Sequence, residues 1–240
     1  MCDWGIGGLG FYGLLREARP DVDVIYLGDQ GVPGYGKLPR PVLAARVRSV
    51  LGEFQRRGAE RVVVACNAAS TVLDPDEPYA TGMIRPALDA LGRGAGNLGV
   101  VGGRRTVLSG SYARPLRAAG WTVRNRVAQP LSGLIEAGLA DAPETADVLD
   151  VILRPLRGVD GLVLACTHYV VLQRAIRERL PSTEIVDPAT LAWAAFAREL
   201  PPPDDHVGTT RFLTTGDPTL MARTARTAFG VECAPERIDL

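Results

Sequence analysis

Two hexapeptides, Val62-Val63-Val64-Ala65-Cys66-Asn67 and Leu162-Val163-Leu164-Ala165-Cys166-Thr167, decide the fold of this chain. Each is a short apolar run that ends in Ala-Cys and then a residue with a polar side chain. Runs this short, with no alternation of polar residues, are the pattern of strands buried on both faces in a parallel sheet. Outward from them, 22–27 and 98–101 read as further strands. Helical periodicity covers 42–57, 109–119 and 145–156. Gly31-Val32-Pro33-Gly34-Tyr35-Gly36 is turn chemistry ahead of the first of these helices, and 201–205 is a Pro-rich loop. Strands alternating with helices predict an α/β protein with mostly parallel sheets and helices on both faces. The repeated Ala-Cys strand predicts two similar, doubly wound halves. A second echo, Gly5-Ile6-Gly7-Gly8 against Gly99-Val100-Val101-Gly102-Gly103, is read as chance.

Composition excludes several classes of function. The 240 residues suffice for one large α/β domain or two small ones. Twenty-seven basic residues balance 27 acidic ones, so there is no basic footprint for nucleic acid. No apolar run has the length of a membrane span, and the N-terminus carries no secretory pattern. A cytoplasmic location follows as the expectation, and there thiols stay reduced. The cysteines at 2, 66, 166 and 233 have no close spacing, and only two histidines exist. Free thiols are expected, with neither a disulfide framework nor a metal site.

Ligands of open α/β sheets bind at the carboxyl ends of the strands, where Cys66 and Cys166 both fall. A lone free cysteine is most often a small buried hydrophobe. The matched positions of these two argue for chemistry, whereas Cys2 and Cys233 have no such setting. Asn67 and Thr167 are plausible helix N-caps. Helix N-termini there predict thiol pKa values below about 8.5 and a carboxylate ligand. Two facing thiols suit racemisation: one takes the Cα proton, the other returns a proton to the opposite face, and the reverse reaction swaps them.

The motifs resemble those of the aspartate/glutamate racemase superfamily, with glutamate racemases nearest. The signature Asp-Ser-Gly-x-Gly-Gly-Leu stands here as Asp3-Trp4-Gly5-Ile6-Gly7-Gly8-Leu9. Pro-Tyr-Gly stands as Gly34-Tyr35-Gly36, and Ala-Cys-Asn-Thr-Ala-Ser as Ala65-Cys66-Asn67-Ala68-Ala69-Ser70. Cys-Thr-His-Tyr-Pro stands as Cys166-Thr167-His168-Tyr169-Val170. Weaker echoes are Leu134-Ile135-Glu136-Ala137-Gly138 and Thr215-Gly216-Asp217-Pro218. The resemblance implies two pseudo-symmetric α/β domains, 1–94 plus 188–240 and 95–187, with the active site in the cleft between them. It implies glutamate racemisation without pyridoxal phosphate or metal, a small amino-acid substrate, D-glutamate for peptidoglycan, and room for a homodimer. Carried over, Cys66 and Cys166 are the acid/bases. Asp3 assists near Cys66 and the substrate ammonium, and His168 and Glu136 assist near Cys166. Asn67, Thr167 and the Tyr35-Gly36 backbone hold carboxylates, with Trp4, Gly34 and Ala68 lining the site and Asp29 in support.

Taken without the resemblance, these residues have plainer readings. Asp3 is then a turn residue beside glycine, His168 a polar residue of a first helical turn, and Glu136 a solvated helical glutamate. Tyr35 is then turn packing, and His206 an exposed side chain. The chain also departs from the pattern. Trp4 replaces a serine, Ala68 a threonine, and Gly34 and Val170 each a proline. The flanking glycines are expected to let the Trp4 ring turn outwards. No apolar strand precedes Asp3, which predicts a shortened start and a poorly held Asp3. Three alternatives stay open. One is a racemase for aspartate, hydantoins or another amino acid. A related decarboxylase would need only one cysteine. The third is a catalytically impaired ligand-binding relative.

Overall fold

The computed structural model describes residues 1–74 and 76–240. Its strands are β1 (Cys2–Asp3), β2 (Val24–Gly28), β3 (Val62–Val64), β4 (Ala80–Gly82), β5 (Asn97–Gly102), β6 (Thr122–Val127), β7 (Gly161–Ala165), β8 (Glu184–Val186), β9 (Thr210–Thr214) and β10 (Glu236–Arg237). They form two sheets, ordered β10-β9-β2-β1-β3-β4 and β6-β5-β7-β8. Every registered pair is parallel. The helices are α1 (Leu9–Ala18), α2 (Arg40–Arg56), α3 (Asn67–Ser70), α4 (Ile84–Leu91), α5 (Arg104–Ser109), α6 (Ala113–Ala118), α7 (Gln129–Glu136), α8 (Pro143–Leu153), α9 (Gln173–Arg179), α10 (Pro188–Phe196) and α11 (Pro218–Phe229). Among the described residues, no helix is long and apolar enough to cross a membrane.

The packing explains why the two deciding strands carry no polar residues. In β3, Val62 and Val64 enter a core built with Leu43, Val47 and Phe54 of α2. Val63 and the following Ala65 face the opposite way, into a core with Phe11 of α1, Ala192 of α10 and Met221 of α11. In β7, Leu162 and Leu164 pack with Leu131 and Ile135 of α7. Val163 and Ala165 pack with Ala87 of α4 and Leu116 of α6. Alternate residues of one strand therefore serve two different cores, and both sheets are covered on both faces. Each fully buried Val or Leu contributes about 1.5–3 kcal/mol.

Some expectations need correcting, while the reading of the Gly5–Gly8 echo as chance agrees with the structure. The helix expected over 109–119 is two, α5 and α6, because Gly110 turns left-handed at φ +69° between them. The helix expected over 145–156 begins at Pro143 and tightens into a 3-10 turn over Arg154–Leu156. The Gly5–Gly8 echo has no structural counterpart: those residues turn away from β1, whereas Gly99 and Gly102 lie inside β5. Asp3 is firmly held. Two residues suffice for a central strand, because Cys2 pairs with both Leu27 and Val64 and Asp3 pairs with Gly28. Asp3 is 1% exposed.

Candidate active site

The carboxyl ends of β1, β3 and β7 converge with the turn after β2 and the start of α7. One cavity of about 30 Å³ lies between them, on the order of one or two ordered waters. Asp3, Trp4, Gly34, Tyr35, Gly36, Cys66, Asn67, Ala68, Cys166, Thr167 and His168 all line it. The site residues expected from the first sheet and from the second thus meet in one place. Glu136 stands behind His168, and Asp29 behind Tyr35.

On one side, Cys66 lies two residues past the end of β3 and occupies the N-cap position of α3 itself. Asn67 is therefore the first helical residue and not the cap. Its Oδ1 accepts from the Tyr112 hydroxyl at 2.6 Å, while its buried Nδ2 has no hydrogen-bond partner in the protein. The Asp3 carboxylate lines the cavity together with the Cys66 thiol. It also accepts from the Trp4 N–H at 2.6 Å and from the Thr167 hydroxyl at 2.7 Å. Burial pushes the Asp3 carboxyl up, against the His168 charge and these hydrogen bonds. The expected lowering of the Cys66 pKa does not occur. Burial pushes that thiol well above its ordinary value and the Asp3 carboxylate adds to the rise, outweighing the helix-end N–H of Ala69. Cys66 therefore rests as a thiol, with the Asp3 carboxylate beside it in the cavity.

On the other side, Cys166 directly follows β7 at the N-cap of a 3-10 turn, so Thr167 is not the cap there either. Its Sγ lies 3.8 Å from His168 Nδ1, and His168 Nε2 lies 2.6 Å from Glu136 Oε1. Glu136 is no solvated glutamate. It is 9% exposed, and it also accepts from the Ile6 N–H at 2.8 Å and from Gln30 Nε2 at 2.7 Å. Burial alone would raise the Glu136 carboxyl, but His168 and the two donors hold it below its ordinary value. Burial alone would lower His168, but Cys166 and Glu136 hold it well above. The pair is a buried imidazolium–carboxylate. Two glycines admit it to the first sheet: a Cβ at Gly5 would lie 1.9 Å from Glu136 Oε1, and one at Gly7 2.5 Å from His168 Nδ1.

The floor of the site is pinned from below. Asp29, fully buried, accepts from the Tyr35 hydroxyl at 2.5 Å, Arg46 Nε at 2.8 Å and the Thr215 hydroxyl at 2.7 Å. That network fixes the Tyr35-Gly36 backbone. Trp4 does not turn outwards. Its Nε1 donates to the Val32 carbonyl at 2.9 Å, its ring sits 6.2 Å from the His168 ring, and it walls the cavity beside Gly34. The bond to Val32 holds the indole across the site despite the flanking glycines.

Elsewhere, Cys2 is buried in the core, where burial pushes its thiol up to about 12. Cys233 and His206 lie away from the cavity, and Lys37 is exposed. No three His, Cys, Asp or Glu side chains cluster as a metal site among the described residues. Gln30, Arg46, Thr106, Gln129 and Ser132 were missed from sequence. Gln129 and Ser132 precede the Leu134-Ile135-Glu136 motif, but nothing in their residue types marks them.

The family model for Asp/Glu/Hydantoin racemase matches residues 15–196. The glutamate racemase of Gloeobacter violaceus is 34% identical over 240 residues, covering 94% of this chain and 89% of that protein. The crystal structure of Thermus thermophilus glutamate racemase in complex with beta-chloro-D-alanine superposes with a TM-score of 0.89 at 31% identity. It covers 100% of this chain and 95% of that one. Escherichia coli glutamate racemase, solved with L-glutamate and the activator UDP-MurNAc-ala, gives 0.70 at 28% identity over 95% and 94% of the two chains. With this fold and these likenesses, the chain belongs to the Asp/Glu/Hydantoin racemase family and is an amino-acid racemase.

Proposed function

We propose that this chain interconverts L- and D-glutamate without a cofactor, with Cys66 and Cys166 as the two proton carriers. In this reading it works in the cytoplasm and supplies D-glutamate for peptidoglycan. Residues 1–94 with 188–240, and 95–187, are the two units that close on the substrate. One observation carries the reading: two thiols, one from each sheet, line a single cavity, and each is backed by its own buried carboxylate system. The similar Escherichia coli enzyme holds L-glutamate, which supports a small amino acid as the substrate.

In one direction the Cys66 thiolate takes the Cα proton, and the Cys166 thiol gives its proton to the opposite face. In the other direction the roles reverse. Cys66 rests protonated, so Asp3 is the group placed to take the thiol proton as the substrate ammonium enters. The His168 imidazolium, held by Glu136, stands beside Cys166 as the charge partner that a thiolate needs. The unpaired Asn67 Nδ2, next to Cys66, suits the α-carboxylate, whose position is fixed by the reacting Cα.

A second reading, a preference for a shorter dicarboxylate such as aspartate, is favoured by the Trp4 indole across the narrow cavity. Deuterium wash-in at Cα across an amino-acid panel separates the two. Cys66→Ala and Cys166→Ala should each abolish racemisation, while Cys2→Ala and Cys233→Ala leave turnover nearly unchanged. A Cys166→Ala protein that racemises at near wild-type rate would overturn the two-thiol mechanism.

A further inference from the structure

We infer that Gln129 reads the side-chain carboxylate of the substrate, donating from Nε2, and so sets the specificity of this racemase. The inference rests on the racemase reading and adds to it the residue that selects among substrates.

Gln129 opens α7 and lines the cavity with the two cysteines. Its Oε1 accepts from the Arg104 N–H at 3.0 Å, which fixes which end of the carboxamide is oxygen. Nε2 is left with two protons. Its hydrogen-bond partner in the protein, Ser132 Oγ, stands at 3.4 Å, beyond the usual range of an N–H···O bond. The Ser132 hydroxyl itself donates to the Gln129 carbonyl at 3.1 Å, so its lone pairs steady Nε2 without using up its donors. Ser132 is buried, and the first sheet makes room for the carboxamide across the cleft. A Cβ at Gly36 would lie 2.2 Å from Gln129 Oε1.

Connectivity then divides the two substrate carboxylates. The α-carboxylate is bonded to the reacting carbon, so its donor must adjoin the thiols, and Asn67 Nδ2 does. The distal carboxylate needs a donor in the same cavity but remote from the thiols. Helix α7 carries one polar residue of the site at each end. Glu136, at its C-terminal end, backs His168 and Cys166; Gln129 stands seven residues earlier, about 10 Å along the axis. A neutral amide that offers two donors and no positive charge binds an acidic side chain without holding it as tightly as a guanidinium would, which suits a reversible reaction.

The test compares substrates with and without the distal carboxylate. Gln129→Met keeps length and removes the donors; Gln129→Glu places like charge against the substrate. Deuterium wash-in is followed on glutamate and on norvaline, which has the same carbon count and no side-chain carboxylate. Calorimetric titration gives glutamate affinity independently of turnover. We expect Gln129→Met to lose about tenfold to a hundredfold in kcat/KM on glutamate, the loss of a hydrogen bond to a charged group, and mainly through KM. Gln129→Glu should lose more, and wash-in to norvaline should be unchanged in both. Glutamate handled by Gln129→Met as by wild type overturns the inference, as does a parallel loss on norvaline. Wild type that binds glutamate, with weaker binding by Gln129→Met but no exchange, overturns the racemase reading and leaves Gln129 as the selector. Wild type that neither binds nor exchanges glutamate overturns both.

Discussion

Glu136→Gln tests the buried ion pair that joins the two sheets. The carboxylate accepts three hydrogen bonds, from His168, Gln30 and the Ile6 N–H, and two of those donors lie in the loops that follow β1 and β2 of the first sheet. A carboxamide keeps one acceptor but turns an NH2 group toward donors, and it removes the charge opposite the imidazolium. Removing one partner of a buried pair costs about 3–5 kcal/mol, and the retained acceptor argues for about 3. At about 2–4 °C per kcal/mol for a chain of this size, Tm should fall by about 6–12 °C. The loss should depend on pH in a definite direction. His168 is raised above the value of about 6.5 in an unfolded chain, so its contribution is full below that pH. It fades as pH climbs through the raised value. Glu136 is lowered, so its contribution is full above about 4.3 and fades as pH falls through the lowered value. The gap in Tm between wild type and Glu136→Gln should therefore be widest near pH 5–6 and narrow toward alkaline pH. Thermal unfolding of both proteins by circular dichroism across pH 5–9 measures it. A gap below about 1 kcal/mol, or one that does not change with pH, would refute the imidazolium–carboxylate assignment.

Two further expectations follow from the site. Trp4→Ser removes the indole from the cavity wall, so the ratio of kcat/KM on glutamate to that on aspartate should rise by more than about tenfold, or roughly 1.4 kcal/mol. Equal changes on both substrates would show that the ring does not limit substrate length. Lys37 is the sole lysine and is exposed, so Lys37→Arg should keep activity within about twofold, with no visible cofactor absorbance. Activity that appears only on adding pyridoxal phosphate would contradict cofactor independence.

The α/β class was legible because β3 and β7 serve two cores each and so carry no polar residue at all. Motif residues were legible where the chemistry constrains them locally, as in Ala65-Cys66-Asn67 and Cys166-Thr167-His168. What stayed hidden depends on segments far apart in the chain. Glu136, which only the family resemblance singled out, looks by its own residue pattern like an ordinary helical glutamate until Gln30, 106 residues earlier, and the Ile6 N–H close on it. The direction of the Cys66 shift was misread for a related reason. A helix N-terminus can be inferred from neighbours in sequence, but the depth of burial and the Asp3 carboxylate that overcome it cannot. Trp4 was read outwards because its glycine neighbours permit it; the Val32 carbonyl that holds the indole lies 28 residues away.

The pairing of β2 with β9 joins Val24 to Thr210 and Gly28 to Thr214, which imposes an order on assembly during synthesis. The sheet containing Cys166 draws all its strands from one continuous stretch, Asn97 to Val186, and is complete when that stretch leaves the ribosome. The sheet containing Cys66 is not. After β4 ends at Gly82, the nascent chain must grow to β9 at Thr210 before β2 gains its outer neighbour. At about 5–20 residues per second that wait lasts roughly 6–26 s. Through that interval the outer edge of β2 is open and apolar, the state most prone to pairing with another chain. Chaperone demand and aggregation on overexpression should therefore track the N-terminal strands, although the later-made half carries an equally apolar core.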